Sequence, residues 1–124
     1  MPVATKRAYD SPSAKDGYRV LVDGLWPRGV TKEKLGLAEW MREIAPSAQL
    51  RKWYSHEPER WEEFRNRYRQ ELAEPGRHAL VQQLIARSRR EKVTLVFAAR
   101  DAERSNAAVI AEAIREQLSS TRHS

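Results

Sequence analysis

The chain contains no cysteine in its 124 residues. No disulfide framework can brace it, and no thiolate can serve as nucleophile or metal ligand. That composition fits a reducing compartment. Histidine is scarce, at three residues, and no two stand at ligand spacing. A metal centre is therefore not expected, and nothing in the sequence asks for a cofactor. Glycine is sparse too, at five residues, and none of them builds a phosphate-cradling loop. No serine lies in a nucleophile elbow. These gaps exclude the commonest hydrolase and nucleotidase signatures. No apolar run approaches the roughly 18 residues of a membrane span, and no signal-peptide pattern follows Met1. The expectation is a cytoplasmic protein with no membrane partner.

Charge is what the chain has in quantity. Lys and Arg number 23 against 17 Asp and Glu, a net charge of +6. Seventeen of the cations are arginine, whose planar fork suits phosphate and carboxylate. The excess is spread out: +2 over residues 1–50, +4 over 51–92 and 0 over 93–124. Nucleic-acid binders usually gather their basic residues into one patch. The length suits one domain, 1–124, with an ordered core expected over about 3–118. Such a chain buries about two-thirds of its unfolded surface without covalent help.

The apolar pattern predicts an α/β domain with a short, mainly parallel sheet packed by helices. Residues 2–8 read as a short strand, and YDSPSAKDG after it as turn chemistry. A second strand is expected at 18–23, paired with the first as a hairpin or lying beside it. Thr31 can cap a short helix to about Leu37, and a second helical stretch is expected at 38–44. Ser47 caps a helix to about Tyr54. Pro58 opens the clearest helix, to Ala73, with Trp61, Phe64, Tyr68 and Leu72 in one stripe. Pro75-Gly76 should end it. A basic amphipathic helix follows over 78–89. VTLVFA at 93–98 is apolar at five of six positions, which marks a central strand covered on both faces. Ser105 can cap the last helix, and residues 119–124 are expected to fray.

The two most apolar strands, 18–23 and 93–98, each run into a polar loop. If parallel and adjacent, they place Asp23–Gly29 beside Arg100–Asn106, the edge where open α/β sheets bind ligands. Arg28, between Pro27 and Gly29, can hold an oxyanion with backbone N–H groups, or can pair with Asp23 or Asp101. Asp23 can act as a base, bind a sugar hydroxyl, or cap a turn. Trp26 can wall a pocket or plug the core. His56, outside any helix interior, can exchange protons or cap the helix after it. The expected ligand-binding set is Trp26, Arg28, Gly29, Arg100 and Asn106. The candidate proton carriers are Asp23, His56 and Asp101. The predicted partner is a small anionic or nucleotide-like ligand. The alternative is a non-catalytic interaction protein, either nucleic-acid binding or a homo-oligomeric scaffold.

Four segments, KRAYD, DGYRVLVDGLWPRGVTKEKL, EWMREIAPSAQLRKWYSHEPERWEEFRNRYRQEL and VTLVFAARDAE, together resemble the YeaO-like branch of the domain-of-unknown-function family 488. The resemblance spans roughly residues 5–115 and implies a small α/β fold rather than a particular reaction. Asp23, Trp26, Pro27, Arg28, Gly29, Trp53, His56, Arg60, Trp61, Asp101 and Asn106 match the family pattern. Three features depart from it. Gly24 stands where relatives carry arginine. Arg104 and Ser105 stand where relatives carry histidine and asparagine, and Ala98 replaces a cysteine of longer relatives. A reaction depending on those residues would be lost or altered in this chain.

Overall fold

The computed structural model describes residues 3–122. Its centre is a sheet of four parallel strands in the order β1-β4-β2-β3. These are β1 (Val3–Arg7), β2 (Tyr18–Leu21), β3 (Glu39–Trp40) and β4 (Val93–Phe97). The helices are α1 (Lys32–Leu35), α2 (Ala48–Tyr54), α3 (Trp61–Leu72), α4 (Pro75–Ser88) and α5 (Asn106–Arg122). The expected α/β class, with its short parallel sheet, is thus what the chain forms.

β4 lies inside the sheet, as its apolar run predicts, and all five of its residues are buried. It pairs with β1 through Val3↔Val93 to Arg7↔Phe97 and with β2 through Tyr18↔Val93 to Leu21↔Val96. The first two strands are therefore neither a hairpin nor neighbours, because β4 separates them. The physical reason is polarity. VATKR cannot be covered on both faces without burying two cations, so it takes an edge and VTLVF takes the centre.

One face of the sheet carries the large core, in which Val20, Leu95 and Phe97 meet Phe64 and Tyr68 of α3, Leu84 and Ile85 of α4, and Ile110 and Ile114 of α5. Each such side chain contributes about 1.5–3 kcal/mol by leaving water. The other face has a smaller cluster, Ala8, Leu21, Leu35 and Val96, closed by Trp26 and Trp40. Beside it a polar knot is buried. Arg19 donates from Nη1 to Asp16 at 2.7 Å and from Nη2 to the Leu35 carbonyl at 2.8 Å, while Lys6 reaches Asp16 at 3.2 Å. Burial alone would raise the Asp16 pKa. The Ser13 N–H, Lys6 and Arg19 outweigh it and hold the carboxyl below its ordinary value.

Four local expectations change. Residues 38–44 are the edge strand β3 and a 3-10 turn at Arg42–Ile44, not a helix. Ala38 donates to Arg19 O and Met41 to Leu21 O, both at 2.9 Å, so the backbone is spent on β2 rather than on itself. Pro58 opens a 3-10 turn, with α3 proper starting at Trp61. Pro75 occupies the first turn of α4 instead of separating two helices by a loop, which suits a residue lacking an N–H. The last helix runs to Arg122 rather than fraying from 119, and residues 123–124 lie outside the described range. The caps at Thr31, Ser47 and Ser105 form as expected.

Candidate functional site

Adjacent parallel strands end side by side, so the chain leaving β2 meets the chain leaving β4. Val22 continues the ladder with one bond to Val96 O at 3.0 Å. At the next position a side chain replaces the backbone: Asp23 Oδ2 accepts from the Ala98 N–H at 2.8 Å. Asn106, the first residue of α5, donates from Nδ2 to Val22 O at 3.0 Å. Asp23 and Asn106 thus stitch the two strand ends together. Burial pushes the Asp23 pKa up. The Ala98 N–H, the Asn106 amide and the nearby Arg51 guanidinium pull it back only partly.

Above these two residues opens a cleft of about 720 Å³, within the usual range for small-ligand sites. Asp23, Trp26, Arg28, His56, Arg100, Asp101 and Asn106 all border it. Seven of the eight residues expected at a site are therefore brought to one cavity. Gly29 is the exception. It turns the chain at φ 77°, a left-handed conformation that suits glycine, and does not line the cleft.

The bordering residues have different tasks. Trp26 belongs to both structures: it closes the smaller core, edge-on to Trp40 at 5.5 Å, and its Nε1 donates to Val30 O at 2.6 Å. Asp101 caps the turn Ala102–Arg104 through the Glu103 N–H at 3.1 Å and pairs with Arg104 at 2.8 Å. The Arg104 contact chiefly holds its pKa down. His56 follows Ser55 in a left-handed backbone pair that ends α2, at φ 56° and 47°, with its ring 6.0 Å from that of Tyr54.

Arg28 pairs with neither Asp23 nor Asp101. Among the described residues, the guanidinium groups of Arg28, Arg51 and Arg100 donate no hydrogen bond to the protein and form no direct ion pair, although Arg51 stands near enough to Asp23 to lower its pKa. Most of the other arginines are spent: Arg65 and Arg69 on Glu112, Arg67 on Glu63, Arg77 on Glu74 and Arg87 on Glu91. Four arginines and two aspartates border the cleft in all.

Arg51, Tyr54 and Tyr9 border the cleft without having been expected there. Arg51 and Tyr54 stand three apart on α2, hence on one helical face. That spacing was a signal, but α2 had no assigned neighbour. Arg51 lies against the Gly24 backbone, where a Cβ would meet its Nη1 at 3.5 Å. Tyr9 follows β1 and reaches the same edge because β1 is parallel to β4. Its hydroxyl donates to Arg28 O at 3.1 Å. No group of metal-ligating side chains occurs among the described residues.

An all-parallel α/β domain with an arginine-bordered cleft at the carboxyl ends of its two inner strands is the class these features define. The chain belongs to the family described as the inactive DUF488-N3 subclade, whose model matches residues 2–124. It is 43% identical over 110 residues to the uncharacterized protein Rv3073c of Mycobacterium tuberculosis, covering 89% of this chain and 91% of the relative. It is 38% identical over 115 residues to the uncharacterized protein YeaO of Escherichia coli, covering 93% and 98%. The resemblance drawn from the sequence motifs is therefore a family relationship. No solved structure matches.

Proposed function

We propose that this chain is a binding module for a small anionic, nucleotide-like ligand, seated in the cleft between the loops after β2 and β4. The observation that carries this reading is the convergence on one cavity of three guanidinium groups, Arg28, Arg51 and Arg100, that form no direct ion pair among the described residues. Elsewhere in the fold many arginines find a carboxylate, as Arg19, Arg65, Arg67, Arg69, Arg77 and Arg87 do, or a backbone carbonyl, as Arg7 and Arg115 do. At the cleft Arg28 and Arg100 are exposed to solvent, and Arg51 lies near Asp23 without a direct ion pair, all beside a mainly apolar wall. A guanidinium fork in that position suits a phosphate or carboxylate, and bonds between charged partners are worth about 1.5–3 kcal/mol each.

Binding without chemistry is the better-supported form. Asp101 is engaged by Arg104 and its own turn, and the family's description as inactive points the same way. The dispersed charge and the cysteine-free composition favour a small-molecule role in a reducing, cytoplasmic setting over nucleic-acid binding.

The test is calorimetric titration of the protein with inorganic pyrophosphate and with 5′-mononucleotides, at low and moderate salt. Saturable binding is expected. Arg28→Ala and Arg51→Ala should each weaken it by about ten-fold or more. A flat titration with every anion, alongside steeply salt-dependent retention of nucleic acid, would replace this reading with the interaction-protein alternative.

A further inference from the structure

The floor and the rim of the cleft carry opposite hydrogen-bonding character. At the rim stand the guanidinium groups of Arg28, Arg51 and Arg100, which can only donate. At the floor stand Asp23 and Asn106. Asn106 has committed its Nδ2 to Val22 O, and among the described residues its Oδ1 receives no hydrogen bond. Asp23 has Oδ2 on the Ala98 N–H and also feels the Asn106 amide and the Arg51 guanidinium, but two carboxylate oxygens offer about four acceptor sites, so room for a further donor remains. The floor therefore offers acceptors, and the rim offers donors with positive charge.

A simple anion satisfies the rim and leaves the floor unanswered. An inorganic phosphate lodged beside Asp23 would meet a carboxylate of its own sign. The complementary ligand is polar in one sense only: phosphate at one end, and a pair of hydroxyl donors at the other. A carboxylate at the end of a β-strand accepting from a ribose hydroxyl is a recurring device in open α/β sheets. The apolar wall of Tyr54, Phe64 and Pro58 leaves room between the ends for a ring.

We propose that the cleft takes a phosphomonoester bearing a vicinal diol, with the diol on Asp23 and Asn106 and the phosphate on the arginine rim. This rests on the anion-binding reading and adds the ligand's class and its direction. The phosphate brings a charge of about −1.5 to −2 at neutral pH, which matches the two-charge excess of arginine over aspartate around the cleft. The source of the diol is open within that class: a free sugar phosphate and a ribonucleotide present the same two groups.

The experiment compares ribose 5-phosphate, 2-deoxyribose 5-phosphate, adenosine 5′-monophosphate and pyrophosphate by calorimetry on the full chain. Ribose 5-phosphate is expected to bind about ten-fold more tightly than its deoxy counterpart, the loss of one bond to a charged acceptor. In Asp23→Asn that ratio should collapse toward one. Asn106→Ala provides a second variant, which should shrink the same ratio. A ratio reads recognition of the hydroxyl, so a general loosening of the fold would not move it. Tighter binding of the mononucleotide than of ribose 5-phosphate would assign the diol to a nucleotide, and equal binding to a sugar phosphate. A wild-type ratio near one, with pyrophosphate still bound through Arg28, would overturn this inference and leave the anion reading standing. A ratio that persists in both variants would also overturn it. Failure of every anion to bind would remove the anion reading itself.

Discussion

Asp23 sits at the junction of two demands. Its carboxylate closes the gap between two strand ends, and the same burial that lets it do so opposes its charge. The folded pKa is raised above the ordinary 3.8. The sign follows directly. A group that holds its proton more tightly when folded contributes stability at low pH, below the unfolded value. That contribution is lost as pH rises through the folded value. Wild-type protein should therefore lose melting temperature relative to Asp23→Asn as pH climbs from below 4 toward neutrality (about one unit either side of the ordinary value sets the start of the window). At pH 7 the variant is expected to melt no lower than wild type, since its amide oxygen still accepts from Ala98. A variant that melts well below wild type at neutral pH would show that the ionised carboxylate is itself a structural necessity. Residues that stabilise a site at the expense of the fold are common where function is carried.

At the scale of the element, one serine fixes the start of α2. Ser47 Oγ accepts from the Leu50 N–H at 3.2 Å and donates to Glu71 Oε2 at 2.6 Å, while its own N–H donates to Glu71 Oε1 at 2.9 Å. One residue thus caps α2 and ties it to α3. Ser47→Ala should cost about 1 kcal/mol in urea unfolding, within the usual 0.5–2 for a lost cap. It should also weaken anion binding, because Arg51 and Tyr54 ride on that helix. Unchanged affinity in the serine variant would mean that α2 is positioned from its other end, by the packing of Tyr54 on Phe64 at 4.4 Å.

Caps of this kind were legible in the sequence because they depend on local chemistry: Ser47, Thr31 and Ser105 each stand at a helix start with a free hydroxyl. The central strand was legible for the same reason, its apolar run. Residues 38–44 were not. AEWMREI has no strand alternation worth the name, and only pairing with β2 makes two of its residues a strand. Arg51 was missed on similar grounds, since its role depends on which loop its helix faces. The cleft's first half, Asp23 to Arg28, and its second, Arg100 to Asn106, were visible because loops after parallel strands meet at one edge. Which arginines would remain unpaired there depends on three-dimensional pairing elsewhere, in particular on Glu112, which takes both Arg65 and Arg69.

At the scale of the whole molecule, one strand organises the sheet. β4 contributes Val93, Leu95 and Phe97 to the large core and Val96 to the smaller one, so it belongs to both layers at once. Leu95→Ala should therefore destabilise the entire chain by about 3 kcal/mol, within the 2–5 seen for buried leucines. Unfolding followed by tryptophan fluorescence and by far-ultraviolet dichroism should shift together. Separate midpoints for the two signals would mean that the two faces of the sheet melt independently. The tryptophans report on both faces: Trp26 and Trp40 pack on the smaller cluster, and Trp53 and Trp61 on the larger.

The strand order also sets a sequence of events during synthesis. Among the described residues, β1 pairs only with β4, and β2 has beyond it only the two-residue contact with β3. While the ribosome is still making residues before Val93, the emerging polypeptide has helices but almost no sheet to lay them on. The apolar Val20, Leu21 and Val22 must wait, exposed to chaperones and to other nascent chains. Both halves of the cleft then come together in one late step, when β4 slides between strands that have been waiting for it. The interval before β4 is available is therefore the one in which the chain is most prone to aggregate.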